Sequence, residues 1–273
     1  MILINGCSFT FGAALRDPSC VYSVDYCNQH SLPYTNVAID GTSNENIQST
    51  TISELLTGKY KFAMINWTTP WRLVLGGLIP NRCPINIFPN HYFDGINIEG
   101  NDQFNLEKFW QVFYDGFYYH RNYFESVFLV QEFCRSRNIG YVFTNTNNLM
   151  QIPAWKKISQ LINENIAHPD NYIDYFSGHI RDNLQISYER FYKKNDMAQI
   201  KQAFKRITSY VDAINWDRFV GLDEAPFFQW PNPVWPTELD KIHPGKEAHL
   251  YWRNVLNQSE WLTQEISNLK NSL

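Results

Sequence analysis

Little in this chain supports cross-linking, metal binding or membrane insertion. Its five cysteines, Cys7, Cys20, Cys27, Cys83 and Cys134, are an odd set without a CxxC pair. That pattern fits neither a disulfide framework nor a zinc site, so no metal is expected and a reducing compartment is the default. An excess of one charge is missing too. The 23 Lys and Arg stand against 27 Asp and Glu for a net −4, with no long basic block, so the electrostatic footprint of a nucleic-acid partner is absent. No stretch approaches the roughly 18 apolar residues of a membrane span, and the opening MILINGCS runs into an apolar segment without a basic n-region. The expectation is a cytoplasmic protein with no signal peptide and no membrane contact.

What the chain does have is rings. Aromatic residues make up 16% of it, with 16 Tyr, 19 Phe and 9 Trp, a share that demands either a large core or a lined cleft. Residues 1–6, 34–39 and 60–67 are short apolar runs that read as buried parallel strands. Between the last two, residues 43–57 open with Ser and Asn and place Ile47, Ile52, Leu55 and Leu56 near helical spacing. A long helical pattern over 105–137 leads into a further strand at Ile139 to Thr144, and a final helix over 244–270 begins at Pro244. Repeated β-then-α order predicts a mostly parallel sheet covered on both faces. Residues 70–104 and 167–236 do not fit a minimal unit of that kind and read as insertions in a single domain spanning 1–273. The second contains PFFQWPNPVWP at 226–236, too broken by proline for a helix or a central strand.

In an open parallel sheet, ligands gather outside the carboxyl ends of the strands. The first such end is Asn5-Gly6-Cys7-Ser8-Phe9-Thr10, where Gly6 permits a tight turn and Ser8 is either an exposed nucleophile or a cap of the following helix. A serine hydroxyl needs a base to take its proton and a third group to orient that base. Asp240 and His243, three residues apart, supply such a pair; the plainer alternative is a surface Asp capping the last helix beside a solvated His. Gly41, after the second strand, either offers its backbone N–H to a developing oxyanion or serves only as a turn glycine. Cys7 is the weaker nucleophile candidate, because neighbours on an extended segment point to opposite sides.

Taken together these blocks resemble the SGNH/GDSL hydrolase family. Gly6-Cys7-Ser8-Phe9-Thr10 is similar to its first block, with Cys7 where Asp is common; Gly41 matches the second-block glycine, and Asp240-Lys241-Ile242-His243 the last block. The resemblance implies a three-layer αβα sandwich around a five-stranded sheet. It also implies an acyl-serine mechanism without a cofactor, and an oxyanion hole made by the nucleophile's N–H, Gly41 and a third donor. For that donor the family uses an Asn after the third strand, where this chain has Thr68, and Asn66 stands where the family has Gly. Thr68 donates through its hydroxyl, or Asn66 from a shifted position, or the hole is weaker than usual.

Asn44, Trp230 and Trp235 are expected substrate contacts, the two Trp belonging to a loop that walls the cleft, and Arg72 either binds a substrate anion or forms a surface salt bridge. The expected activity is hydrolysis of a small-molecule ester or a carbohydrate O-acetyl ester. The alternative is a binding or assembly protein that keeps the fold with a degenerate site.

Overall fold

The computed structural model describes residues 1–70, 73–75, 85–87, 115–145, 151–165, 172–189, 197–222, 228–229, 232–233 and 243–272. In chain order the elements are β1 (Ile2–Asn5), α1 (Ser8–Phe11), α2 (Tyr22–Gln29), β2 (Tyr34–Asn36), α3 (Asn44–Leu56) and β3 (Phe62–Asn66). A hairpin follows, β4 (Leu73–Leu75) with β5 (Ile85–Ile87), then α4 (Gly116–Ser136), β6 (Gly140–Thr144), α5 (Ile152–Asn163), α6 (Gly178–Ser187), α7 (Met197–Ala213) and β7 (Phe219–Val220). A second hairpin pairs β8 (Phe228–Gln229) with β9 (Asn232–Pro233), and α8 (Lys246–Gln258) and α9 (Glu260–Ser272) end the chain.

The main sheet has five strands, all parallel, in the order β2-β1-β3-β6-β7. Chain order reverses between β1 and β3, which is the topological switch point of a doubly wound sheet. The central strands form because both their faces are covered: Ile2, Leu3 and Ile4 are fully buried, and every residue of β3 is buried. Such strands read as continuous apolar runs.

Side-chain bonds assign the covering layers. Asn5 sends Nδ2 to Ile47 O at 3.0 Å and to Thr51 Oγ1 at 2.9 Å, fixing α3 on one face. Thr144, whose register partner is Asn66, meets the Tyr22 hydroxyl at 2.8 Å, fixing α2 on the other. Asn5 is in register with Ile65, one residue before Asn66, so strand alternation makes these opposite faces. α8 joins α2 through the Arg253–Asp25 ion pair at 2.8 Å, which is mostly shielded from solvent. α4 packs beside α3, and α5 and α7 extend that layer. There Trp155, fully buried, gathers His120, Phe124, Phe176 and Phe204 around it. Much of the aromatic content is therefore core.

Three details differ from the sequence reading. The fifth strand, β7, lies inside the stretch 167–236. The 34–39 run stops being strand at Asn36, whose side chain accepts from Ala38 N–H at 3.0 Å and donates to Thr10 O at 2.8 Å, turning the chain locally. The C-terminal helix is two helices, because Ser259 is extended (φ −76°, ψ 102°) and its carbonyl accepts from Thr263 N–H to start α9.

Candidate active site

At the end of β1 the chain turns within two residues. Asn5 Oδ1 accepts the Gly6 N–H at 2.8 Å while its Nδ2 holds α3, so one carboxamide fixes the turn against a helix. Gly6 is required here for space: its backbone is not left-handed, but an added Cβ would sit 2.8 Å from Thr10 Cβ and 3.0 Å from Asn66 O. Removing that Cβ lets α1 start beside β3. Cys7 is the N-cap and is fully buried; Ser8 is the first helical residue and is 2% exposed. The Ser8 N–H therefore belongs to the first turn, where no intrahelical acceptor exists.

The β2–α3 loop runs alongside. Ile39 N–H donates to Gly6 O at 3.3 Å, so the Gly41 turn is tied to the Ser8 turn. Gly41 is buried with φ +74°, a left-handed conformation that glycine adopts without penalty. Among the described residues, neither the Ser8 nor the Gly41 N–H has a hydrogen-bond acceptor. Two buried donors on adjoining loops are the raw material of an anion-stabilising site.

β3 brings the third segment. Asn44, buried at the first position of α3, accepts the Thr68 N–H on Oδ1 at 3.0 Å and donates Nδ2 to Thr68 O at 3.3 Å and Thr69 O at 3.0 Å. Both ends of its carboxamide are thus engaged inside the protein, clamping the segment after β3 to the helix that follows Gly41. Thr68 and Asn66 are also buried, and Asn66 Oδ1 accepts from Thr144 Oγ1 at 3.2 Å.

His243 arrives from the other side of the fold. It is half-buried, three residues before α8, and its ring meets Phe9 edge-on with centroids 5.7 Å apart. The imidazole is therefore brought to the residue next to Ser8 across 234 positions of sequence. Among the described residues, no hydrogen bond joins Ser8 Oγ to His243. Behind His243, His249 is buried and accepts the Tyr22 N–H on Nδ1 at 3.3 Å, so its proton sits on Nε2. Burial, and then the charge of His243, hold its pKa down at about 3.

Ser8, Gly41, Asn66, Thr68, Asn44 and His243 thus surround the β1/β3 switch point, while Asp240, Arg72, Trp230 and Trp235 lie outside the described residues. The sequence reading gave no role of their own to Asn5 and Phe9, although both lie in the first strand-end block, or to Tyr22, Thr144 and His249. Only Asn5, polar at the end of an apolar run and next to glycine, carried a local signal. No helix among the described residues is long and apolar enough to cross a membrane.

No protein-family model matches the chain, and no curated protein matches it by sequence. Its similarity to solved structures is remote. One is a two-domain esterase (CEX) active on acetylated mannans, co-crystallised with mannopentaose: identity is 14%, the match covers 97% of this chain and 50% of that one, and the TM-score is 0.38. Another is a G-D-S-L family protein from Desulfitobacterium hafniense DCB-2, with 11% identity, coverage of 78% and 98%, and a TM-score of 0.33. The chain spans about half the length of the two-domain esterase. Likeness at this level carries no conclusion about activity.

Proposed function

We propose that the protein is a serine ester hydrolase in which Ser8 is the nucleophile, His243 the general base and Asp240 the group that orients His243. The observation that carries this reading is the meeting of two strand-end segments with the segment that leads into α8. Ser8 begins the helix after β1, the unbonded Gly41 N–H follows β2, and the His243 ring lies against Phe9. In the reaction, His243 Nε2 takes the Ser8 hydroxyl proton as Oγ bonds to the acyl carbon. The carbonyl π electrons move to oxygen, which accepts hydrogen bonds from the Ser8 and Gly41 N–H groups and from a third donor at the end of β3. Collapse expels the alcohol oxygen, which takes the proton from His243. Water then repeats the sequence on the acyl-serine, releasing the acid.

A carbohydrate O-acetyl ester is the substrate class we favour, because aromatic side chains suit sugar faces and Trp230 and Trp235 stand shortly before Asp240 in sequence. The test is turnover of p-nitrophenyl acetate and of an acetylated oligosaccharide by the wild type, Ser8→Ala and His243→Ala. Both variants should lose activity to a similar extent, since members of a relay act as a unit. Undiminished turnover in folded Ser8→Ala overturns the assignment. No turnover by the wild type favours a binding or assembly protein that retains the fold.

A further inference from the structure

α4 and α7 lie side by side and run in the same direction. Phe117 meets Phe204 with ring centroids 4.9 Å apart, and further along both helices Gln131 Nε2 donates to Ala213 O at 3.1 Å. Between the two is an open cavity of about 570 Å³ lined by Arg121, Glu125, Arg206, Ser209 and Tyr210, a size within the usual range of about 300–1,000 Å³ for small-ligand sites. The spacing explains the lining. Arg121 and Glu125 are four residues apart, as are Arg206 and Tyr210, so each pair shares one helix face. None of these residues belongs to the segments around Ser8.

Two guanidinium groups face one carboxylate here, in a chain whose net charge is −4. Glu125 already has partners: its Oε2 lies 3.7 Å from Arg121 Nε, and burial, then the charge and hydrogen bond of Glu125, raise the Tyr210 phenol above its ordinary pKa. Arg206 has no ion pair and no hydrogen bond among the described residues. Arg121 is held in place by its Nη2 bond to Asn122 Oδ1 at 3.2 Å and by the Tyr118 ring 5.0 Å away. Its Nε is cut off from water without a hydrogen-bond acceptor, since Glu125 at 3.7 Å is too far for one. The surplus is one positive charge with N–H donors to spare. That matches a carboxylate monoanion, whose two oxygens fit a guanidinium fork, better than a phosphate dianion facing Glu125.

The cavity also holds acceptors. Ser209 gives its proton to Lys205 O at 2.7 Å, so its oxygen can only accept from a ligand. The Glu125 carboxylate keeps lone pairs beyond the one that Tyr210 uses. A ligand that satisfies both sets carries a carboxylate and hydroxyl groups together.

We propose that the groove between α4 and α7 binds a hexuronate unit of an acidic carbohydrate, with Arg206 and Arg121 on its carboxylate and Glu125 and Ser209 accepting from its hydroxyls. This site is independent of the ester-hydrolase reading and takes no part in the proposed reaction.

The test is isothermal titration calorimetry of the full chain with trigalacturonate, its neutral counterpart galactotriose and inorganic phosphate. Wild type, Arg206→Gln and Ser209→Ala are compared, with melting temperatures recorded alongside. Trigalacturonate should bind the wild type at least about tenfold more tightly than galactotriose or phosphate, and its affinity should fall as NaCl rises. Arg206→Gln removes charge-assisted hydrogen bonds and should weaken binding by about 10–100-fold, whereas Ser209→Ala removes one neutral acceptor and should weaken it by about 2–10-fold.

No binding of trigalacturonate at millimolar concentration, equal affinity for galactotriose or phosphate, or an unchanged affinity in folded Arg206→Gln overturns the proposal. Should Arg206→Gln not fold, an unchanged affinity in folded Ser209→Ala overturns it, and a loss of about twofold or more supports it.

Discussion

Replacing Gly6 by Ala tests whether the nucleophile turn is built on close approach between α1 and β3. The added methyl would collide with Thr10 Oγ1 and lie 2.8 Å from Thr10 Cβ and 3.0 Å from Asn66 O, against about 3.5–4.0 Å for a relaxed carbon contact. Rotating the Thr10 side chain relieves the first clash and neither of the others, because a Cβ and a backbone oxygen move only with their main chains. α1 must therefore shift away from β3 by several tenths of an ångström, carrying Ser8 with it. Overpacking of this kind costs about 1–3 kcal/mol, which for a chain of this size lowers the melting temperature by roughly 2–10 °C. The catalytic effect should be larger in proportion, since misplacing a reacting group by about 1 Å can cost about 10²-fold. Circular dichroism melts and p-nitrophenyl acetate turnover measure the two effects. In Gly6→Ala/Thr10→Ala both should recover only in part, because Thr10 Cβ and Asn66 O remain. A Gly6→Ala protein with wild-type melting temperature and turnover would refute the packing argument.

Two further outcomes follow from the same geometry. Asn44→Ala strands the buried Thr68 N–H and two carbonyls, so it should destabilise by about 1–3 kcal/mol and slow turnover; an unchanged melting temperature would remove the clamp from the account. The buried imidazoles give a pH dependence. His249 is held at about 3 by burial and then by His243, and His120 at about 4 by burial against its bond to Gly116 O. Their unfolded values are higher, so the unfolded chain binds more protons. Stability is complete above about pH 6.5 and falls as pH drops from there toward 4, by up to about 1.4 kcal/mol per pH unit per histidine. Urea unfolding between pH 7 and 5 should show this slope, and His120→Gln should cut it by about half; the same slope in the variant would contradict the assignment.

β1, β3 and β6 were readable because burial on both faces leaves an uninterrupted apolar run, and α3 because its Ser43 cap and apolar spacing are local. β7 was not, since two residues paired at a sheet edge leave no pattern to read. The break at Ser259 was hidden because residues on both sides of it favour helix. The sequence put the candidates Ser8 and Gly41 just past strand ends, as the structure does, and singled out His243 only by its spacing from Asp240. The long-range bonds nearby were not legible: Tyr22 reaches Thr144 across 122 positions, and Thr144 reaches Asn66 across 78. Hydrogen bonds at that separation are properties of the folded sheet, and nothing in the local sequence announces them.

Whether Ser8 is an activated nucleophile is settled most directly by covalent labelling with a fluorophosphonate probe and mapping of the adduct by mass spectrometry. The account predicts one adduct, on Ser8, that disappears in Ser8→Ala, is strongly reduced in His243→Ala and survives in Cys7→Ala. An unlabelled wild type, or an adduct on any other residue, would contradict it.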